Sequence, residues 1–239
     1  RIVHLDSDPA VIGANYPTEV AVVGDARLAL EAMVTALAEQ SRDHGAAARV
    51  AAAKARKFAA FQELATSDAT PIRPERVIAS LQRVLPRDAV IVADPGTPCP
   101  YVSGYYEFLE TGRYFISNRA HGALGYSMAG AVGAQYGRPN AKVISLMGDG
   151  SFGFTAGEME TLVRLGVPIT MVVFSNSVFG WIKAGQRAGF EERYFSVDFS
   201  RTDHAKVAEA FGVKAWTVAD PADLNGALKA AIAYDGPSL

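Results

Sequence analysis

Two short polar clusters, Gly148-Asp149-Gly150-Ser151 and Ser175-Asn176-Ser177, hold the residue types best suited to chemistry, and Asn176 follows Asp149 by 27 positions. Each cluster follows an apolar, β-branched run, Lys142–Met147 before the first and Val167–Phe174 before the second. The residues between them predict a turn over Gly148–Gly153 and a helix over Thr155–Gly166, so the stretch is a βαβ unit with a right-handed crossover. Ligands of such sheets sit at the carboxyl ends of the strands, where both clusters fall. Gly148 to Gly153 also matches G-x-G-x-x-G, the dinucleotide fingerprint. Two features oppose that reading. The second strand closes on neutral Asn176, where an acid would hold a ribose hydroxyl. Asp149 lies inside the loop that would cradle a diphosphate, and its charge repels one. A divalent cation removes the conflict, because Mg²⁺ takes oxygen ligands and bridges a few protein groups to phosphates. Asp149 offers a carboxylate, Asn176 an amide oxygen and Val178 a backbone carbonyl. Glycines at 148 and 150 admit a close backbone approach, and the helix N-terminus adds partial positive charge. The unit reads as a Mg²⁺–diphosphate site.

These residues carry a specific resemblance. Gly148-Asp149-Gly150-Ser151 with Asn176 resembles the thiamine diphosphate signature of the acetolactate synthase and benzoylformate decarboxylase superfamily, and His121-Gly122-Ala123-Leu124-Gly125-Tyr126 through Ala131–Gln135 resembles its upstream glycine-rich segment. The resemblance implies that Asp149, Asn176 and the Val178 carbonyl bind the metal. It places Gly148, Gly150, Ser151, Phe179 and Gly180 against the cofactor, with Gly96 and Thr97 close to the diphosphate. It implies that the Gly122 carbonyl accepts a hydrogen bond from the aminopyrimidine and that Leu124 is the wedge bending the cofactor. Trp181 and Ile182 would form an apolar substrate wall, although Trp181 could also be plain core. His121 has two readings, a proton shuttle or substrate contact beside Gly122 and a histidine bonded to a loop carbonyl. Ser177 departs from the second Asn of many relatives, while the metal-binding Asn is retained.

Composition narrows the class. The 239 residues are 49% hydrophobic and 20% charged with net charge −2, enough apolar material for a full core. Charge this near zero gives no electrostatic case for nucleic acid or an anionic membrane. No apolar run approaches the roughly 18–20 residues that span a bilayer. One cysteine, Cys99, allows no intrachain disulfide and fits a reducing, cytoplasmic compartment. Its position near the expected site is read as incidental, since no base stands at a recognisable spacing. The chain opens on Arg1, without a signal-peptide pattern, and is read as a fragment.

The elements that must position these groups follow from pattern. Residues 1–40 read as two strands, Ile2–Leu5 and Glu19–Val23, and a helix, Ala26–Ala38, whose Leu28, Leu30, Met33, Val34 and Leu37 recur at helical spacing. By resemblance this is the tail of a central domain. Asp6 and Asp8 look like a metal pair, but Asp before Pro9 favours a turn. Residues 41–70 are rich in Ala, Lys and Arg and predict an exposed linker helix. Residues 71–239 then form the diphosphate-binding domain. Its expected elements are a helix Pro74–Leu85, a strand Ala89–Ala93 ending at Asp94-Pro95-Gly96-Thr97, a helix Tyr101–Leu109, a short strand Tyr114–Ser117 and a small-residue helix Gly125–Gly137. Gln186–Ser200 lacks periodicity and reads as a loop closing over the site. A helix Asp203–Phe211 stopped by Gly212, a strand Val213–Val218 and a helix Pro221–Ala233 complete it.

The fold expected is α/β, a doubly wound parallel sheet with helices on both faces, preceded by the C-terminal βα tail of a second α/β domain. The resemblance implies a thiamine-diphosphate- and Mg²⁺-dependent enzyme that makes or cleaves C–C bonds beside a 2-oxo acid carbonyl, like acetolactate synthase. A simple decarboxylase of the benzoylformate type shares every motif; a nicotinamide-binding oxidoreductase is the remote alternative. It also implies a homodimer or homotetramer and an activating Glu from an N-terminal pyrimidine-binding domain. No residue here matches that Glu; Glu158 and Glu160 sit on the helix after the diphosphate loop and are expected to face its packing surfaces.

Overall fold

The computed structural model describes residues 1–38 and 45–239. The boundary expected at residue 40 and the first residues of the linker lie outside them. Contacts divide the chain into two compact units, Arg1–Ala55 and Arg56–Leu239.

In the first unit β1 (Val3–Asp6) and β2 (Val20–Val23) pair in parallel, Val3 opposite Val20, and α1 spans Ala26–Ala38. The Asp6 and Asp8 carboxylates accept the N–H groups of Asp8 and Ala10 at 2.9 and 2.8 Å, so they build a turn. None of the described residues of this unit is buried, and Leu28, Val34 and Leu37 of α1 stay exposed.

Helix α2 (Ala46–Ala65) is exposed along its first half, and in the second unit its Phe61 and Ala65 are buried, Phe61 stacking on Tyr105 at 4.5 Å. The elements that follow are α3 (Pro74–Val84), β3 (Val90–Ala93), α4 (Pro98–Tyr105), β4 (Phe115–Ile116), α5 (Tyr126–Gly137), β5 (Val143–Gly148), α6 (Asp149–Thr155), α7 (Met159–Leu165), β6 (Thr170–Phe174), α8 (Gly180–Gly189), α9 (His204–Ala210) and α10 (Leu224–Ala233). The sheet runs β4-β3-β5-β6, all parallel. Residue 238 bridges Thr170 on one side and Lys214 on the other, so residues 237–239 extend the sheet beyond β6.

Alternation splits the strands between two cores. Val90, Val92, Val143 and Met147 pack with Met128, Met159 and Leu162 on one face. Ile91, Ala93, Ile144 and Leu146 pack with Ile78, Leu81, Val102 and Leu228 on the other. Both faces are covered, which is why β3 and β5 read as continuous apolar runs rather than alternating ones. The expected α/β fold is the one observed.

Four expectations are corrected. The glycine turn at 148–153 and the single helix at 155–166 are instead α6, starting at Asp149, and α7, joined by a 3₁₀ turn at Ala156–Glu158. Glycine's low helix propensity is overridden here by the tertiary anchoring of Asp149 and Phe152. The aromatic helix starts and ends earlier, because Pro98 suits a first helical turn and Tyr106 turns to extended backbone (ψ 130°). The supposed loop from Gln186 is helical through Gly189, and residues 190–199 then fold back along α8, with Gln186 bonded to Phe195 at both its amide atoms. Residues 213–218 form no full strand, only the bridge at Lys214.

Candidate functional site

The carboxyl ends of β3, β5 and β6 open on one cavity of about 250 Å³. Its walls are Pro95, Gly96 and Thr97 after β3, Arg119, Gly122 and Leu124 before α5, Gly148 to Ser151 at the end of β5, and Val178 to Ile182 after β6. The crevice follows from topology: parallel strands with returning helices leave their carboxyl-end loops diverging.

Asp149 is the buried anion of this cavity, 6% exposed. One carboxylate oxygen accepts the Gly150 N–H at 2.9 Å; the other accepts those of Asn176, at 2.8 Å, and Ser177. The carboxylate therefore ties the ends of β5 and β6 together. To donate from this position Ser177 adopts a left-handed φ of 57°, uncommon for a residue with a side chain. The Asn176 side-chain oxygen accepts the Val178 N–H at 3.3 Å, and Asn176 is exposed beside the cavity rather than in its wall. A side chain on Gly150 would put its Cβ 2.2 Å from the Phe179 ring, so the close approach at this position needs glycine. Gly125, at φ 86°, caps α5 where a Cβ would lie 2.7 Å from Thr155.

At the end of β3 a second carboxylate, Asp94, is fully buried. It accepts the Tyr126 N–H at 2.9 Å and the Ser127 hydroxyl at 2.7 Å, and Ser127 in turn accepts from Ser145 at 3.0 Å. Burial pushes its carboxyl above the usual range, partly offset by the Ser127 and Tyr126 hydrogen bonds. These bonds fix the start of α5 and, with it, the loop that carries Gly122 and Leu124. That loop is also closed on itself: the Asn118 carbonyl accepts from His121 and Gly122, and its side chain donates to Ala123. Against α6, His204 stands edge-on to Phe152 at 5.0 Å, and burial pulls its imidazole below the ordinary value against the charges of Asp149 and Asp203.

The structure thus gathers Gly96, Thr97, Gly122, Leu124, Gly148, Asp149, Gly150, Ser151, Val178, Phe179, Gly180, Trp181 and Ile182 around one cavity. His121 is exposed and not among the lining residues. Trp181 is 52% exposed, which removes its reading as plain core, whereas Cys99 packs in the apolar core. Glu158 and Glu160 are exposed rather than packed, accepting from Thr161 and Arg164 of α7. Sequence reasoning missed Arg119, whose Nη1 donates to the Pro95 carbonyl at 2.5 Å and whose guanidinium lies 5.5 Å from the Trp181 ring centroid. Its position two residues before His121 was the available signal. Asp94 was visible as a strand-end acid, but its partners stand 32 and 33 positions away.

Comparison with known proteins matches residues 94–239 to the family described as "Thiamine pyrophosphate enzyme, C-terminal TPP binding domain". A "Probable acetolactate synthase large subunit" of Methanococcus aeolicus is 29% identical over 253 residues, covering 100% of this chain and 42% of the relative. The acetolactate synthase large subunit of Porphyra purpurea is also 29% identical, over all of this chain and 40% of its own length. A "Probable sulfoacetaldehyde acetyltransferase" of Rhizobium meliloti is 31% identical, over 97% of this chain and 42% of the relative. The chain spans about two fifths of the length of these curated relatives. No helix among the described residues is long and apolar enough to cross a membrane.

Proposed function

This chain belongs to the thiamine pyrophosphate enzyme family, whose C-terminal TPP-binding domain it carries, and from that premise we propose that it serves a Mg²⁺-dependent carboligase acting beside a 2-oxo acid carbonyl. The observation that carries the reading is the buried Asp149 carboxylate, tied to the ends of two parallel strands in a cavity otherwise walled by Arg119 and by glycine, hydroxyl and apolar residues. The donor set fits the group: a carboxylate, an amide and a carbonyl oxygen suit a hard cation, and Gly148, Gly150 and Ser151 line the same cavity. Asp149, Asn176 and the Val178 carbonyl would hold Mg²⁺, and Gly96, Thr97, Gly148, Gly150, Ser151, Phe179 and Gly180 the diphosphate end. When bound, thiamine diphosphate supplies a nucleophilic carbon that adds to the 2-oxo carbonyl and accepts the electron pair released with CO₂. The chain's own part would be positioning: Leu124 would support the cofactor's bend, the Gly122 carbonyl would orient its pyrimidine, Trp181 and Ile182 would keep water from the reacting carbon, and His121, beside Gly122, would be a candidate proton carrier.

In this reading residues 1–40 are the tail of a central domain, 41–70 a linker and 71–239 the diphosphate-binding domain of a homodimer or homotetramer. A pyrimidine-binding domain supplies the activating Glu. The names of the relatives favour transfer to an acceptor over simple decarboxylation of the benzoylformate type. Calorimetric titration of thiamine diphosphate tests the reading. Binding is expected with Mg²⁺ and is lost in EDTA, and NAD gives no heat. Metal-independent NAD binding would return the glycine motif to the oxidoreductases.

A further inference from the structure

The loop between β4 and α5 carries Gly122 and Leu124 into the cavity wall, and its two ends are held unequally. At the far end Asp94 fixes the start of α5 through the Tyr126 N–H and the Ser127 hydroxyl. At the near end Ser117 Oγ and Asn118 Oδ1 are buried without a hydrogen-bond partner among the described residues, and unpaired buried polar atoms favour opening to water. The bonds that Asn118 does form, with His121, Gly122 and Ala123, stay inside the loop. Arg119 reaches out of it. Its Nη1 donates to the Pro95 carbonyl at 2.5 Å, and its guanidinium lies 5.5 Å from the Trp181 ring centroid, within cation–π reach. No carboxylate pairs with Arg119 among the described residues. One side chain thus joins the loop to the end of β3 and to the start of α8, two other walls of the cavity. Leu124 rests beside that tie: a Cβ on Gly96, next to Pro95, would lie 3.7 Å from its Cδ2.

We propose that Arg119 is a positioning residue, a brace that holds the loop of Gly122 and Leu124 closed on the cavity and so serves the thiamine end of the cofactor rather than its diphosphate. The inference rests on the cofactor reading above and adds a residue that acts through Leu124 and Trp181. A guanidinium suits the task, because its rigid fork donates to a carbonyl while its planar face lies against an aromatic ring. An ammonium is a point charge and satisfies one of these contacts at a time. Without the brace the loop samples open positions, and apparent affinity falls in proportion to the closed fraction that is lost. Inorganic diphosphate, whose contacts lie at the strand ends rather than on the loop, does not depend on that fraction.

The test uses the full 239-residue chain with Trp216→Phe, which leaves Trp181 as the fluorophore beside the brace. Acrylamide quenching without ligand reads the brace directly: Arg119→Met should raise the quenching of Trp181, with the melting temperature within about 2 °C of the parent, as for a surface substitution. With Mg²⁺ present, Arg119→Met should weaken thiamine diphosphate about 10-fold, the scale of one hydrogen bond to a charged group. Inorganic diphosphate with Mg²⁺ should stay within about 3-fold, less than that one bond. Arg119→Lys should recover part of the affinity and part of the shielding. Unchanged quenching in Arg119→Met overturns the proposal, and so does thiamine diphosphate binding equal to the parent's. A variant that loses inorganic diphosphate as strongly as thiamine diphosphate also overturns it, since the arginine would then hold the ligand's anion or support the fold at large. Failure of the parent to bind thiamine diphosphate, with quenching still raised by Arg119→Met, would sink the cofactor reading and the role toward thiamine, and leave the brace as a property of the loop alone.

Discussion

The neighbouring strands β3 and β5 each end in a buried carboxylate, and the two ends are built for different work. Asp94 after β3 is enclosed and spends its lone pairs on a hydroxyl and an amide of α5. Asp149 after β5 opens on the cavity and accepts backbone N–H groups from its own helix start and from the end of β6. One acid organises the protein and the other faces the cavity. The same residue type at equivalent sheet positions therefore acquires its role from what the next loop leaves uncovered.

Asp149→Ala gives the sharpest break. We expect Mg²⁺-dependent thiamine diphosphate affinity to fall at least about 100-fold, beyond the 10- to 100-fold usual for outer-shell partners of a metal, with a smaller change in melting temperature. A calorimetric titration and a thermal melt on one sample separate the two. At the other strand end the order reverses. Asp94→Ala orphans the Tyr126 N–H and the Ser127 hydroxyl, a loss of about 2 kcal/mol from buried donors left unpaired, seen in chemical denaturation. Asp94→Asn should recover most of it, because an amide can accept from Tyr126 while Ser127 turns its proton toward Ser145. The pH profile sharpens the contrast. Asp94 keeps its proton to higher pH in the folded than in the unfolded chain, so its contribution favours folding at low pH and declines as pH rises from the unfolded carboxylate value through the raised native one. Asp94→Asn should remove that decline.

A steric pair gives the smallest effects. Gly150→Ala pushes a methyl into Phe179, a strain of about 1 kcal/mol that should weaken cofactor binding several-fold. Gly148→Ala meets nothing within 4 Å and should stay within about 0.5 kcal/mol of wild type. Equal effects at the two glycines in a titration would undo the claim that the approach of Phe179 requires glycine at 150.

The contrast between the strand ends also marks what the sequence could reveal. The placement of Asp149, Asn176 and the glycines around them at the strand ends was legible because a local motif sits between two β-branched runs whose strand character is unambiguous. The start of helix α1 at Ala26 was legible for a similar reason, a clear helical period. The start of α6 at Asp149 was not, since glycines at 150 and 153 argue against helix and only the tertiary anchoring of Asp149 reverses that. The partnership of Asp94 with Ser127 depends on chain segments brought together by the sheet, and Arg119 showed no motif of its own. Local chemistry was readable; long-range pairing and unpaired charge needed coordinates.

The bridges made by residue 238 carry a consequence for how this sheet is assembled in time. Ser238 accepts the Met171 N–H and donates its own to Ile169, and its hydroxyl is buried against Thr170 and Ala231. Pairing across 68 positions is entropically costly to close, and such contacts slow folding. During synthesis β3, β5 and β6 can associate while this edge still waits for its neighbour, leaving the far side of β6 exposed until residues 237–239 are made. A chaperone or a misplaced strand from another molecule would find its opening there, in that interval.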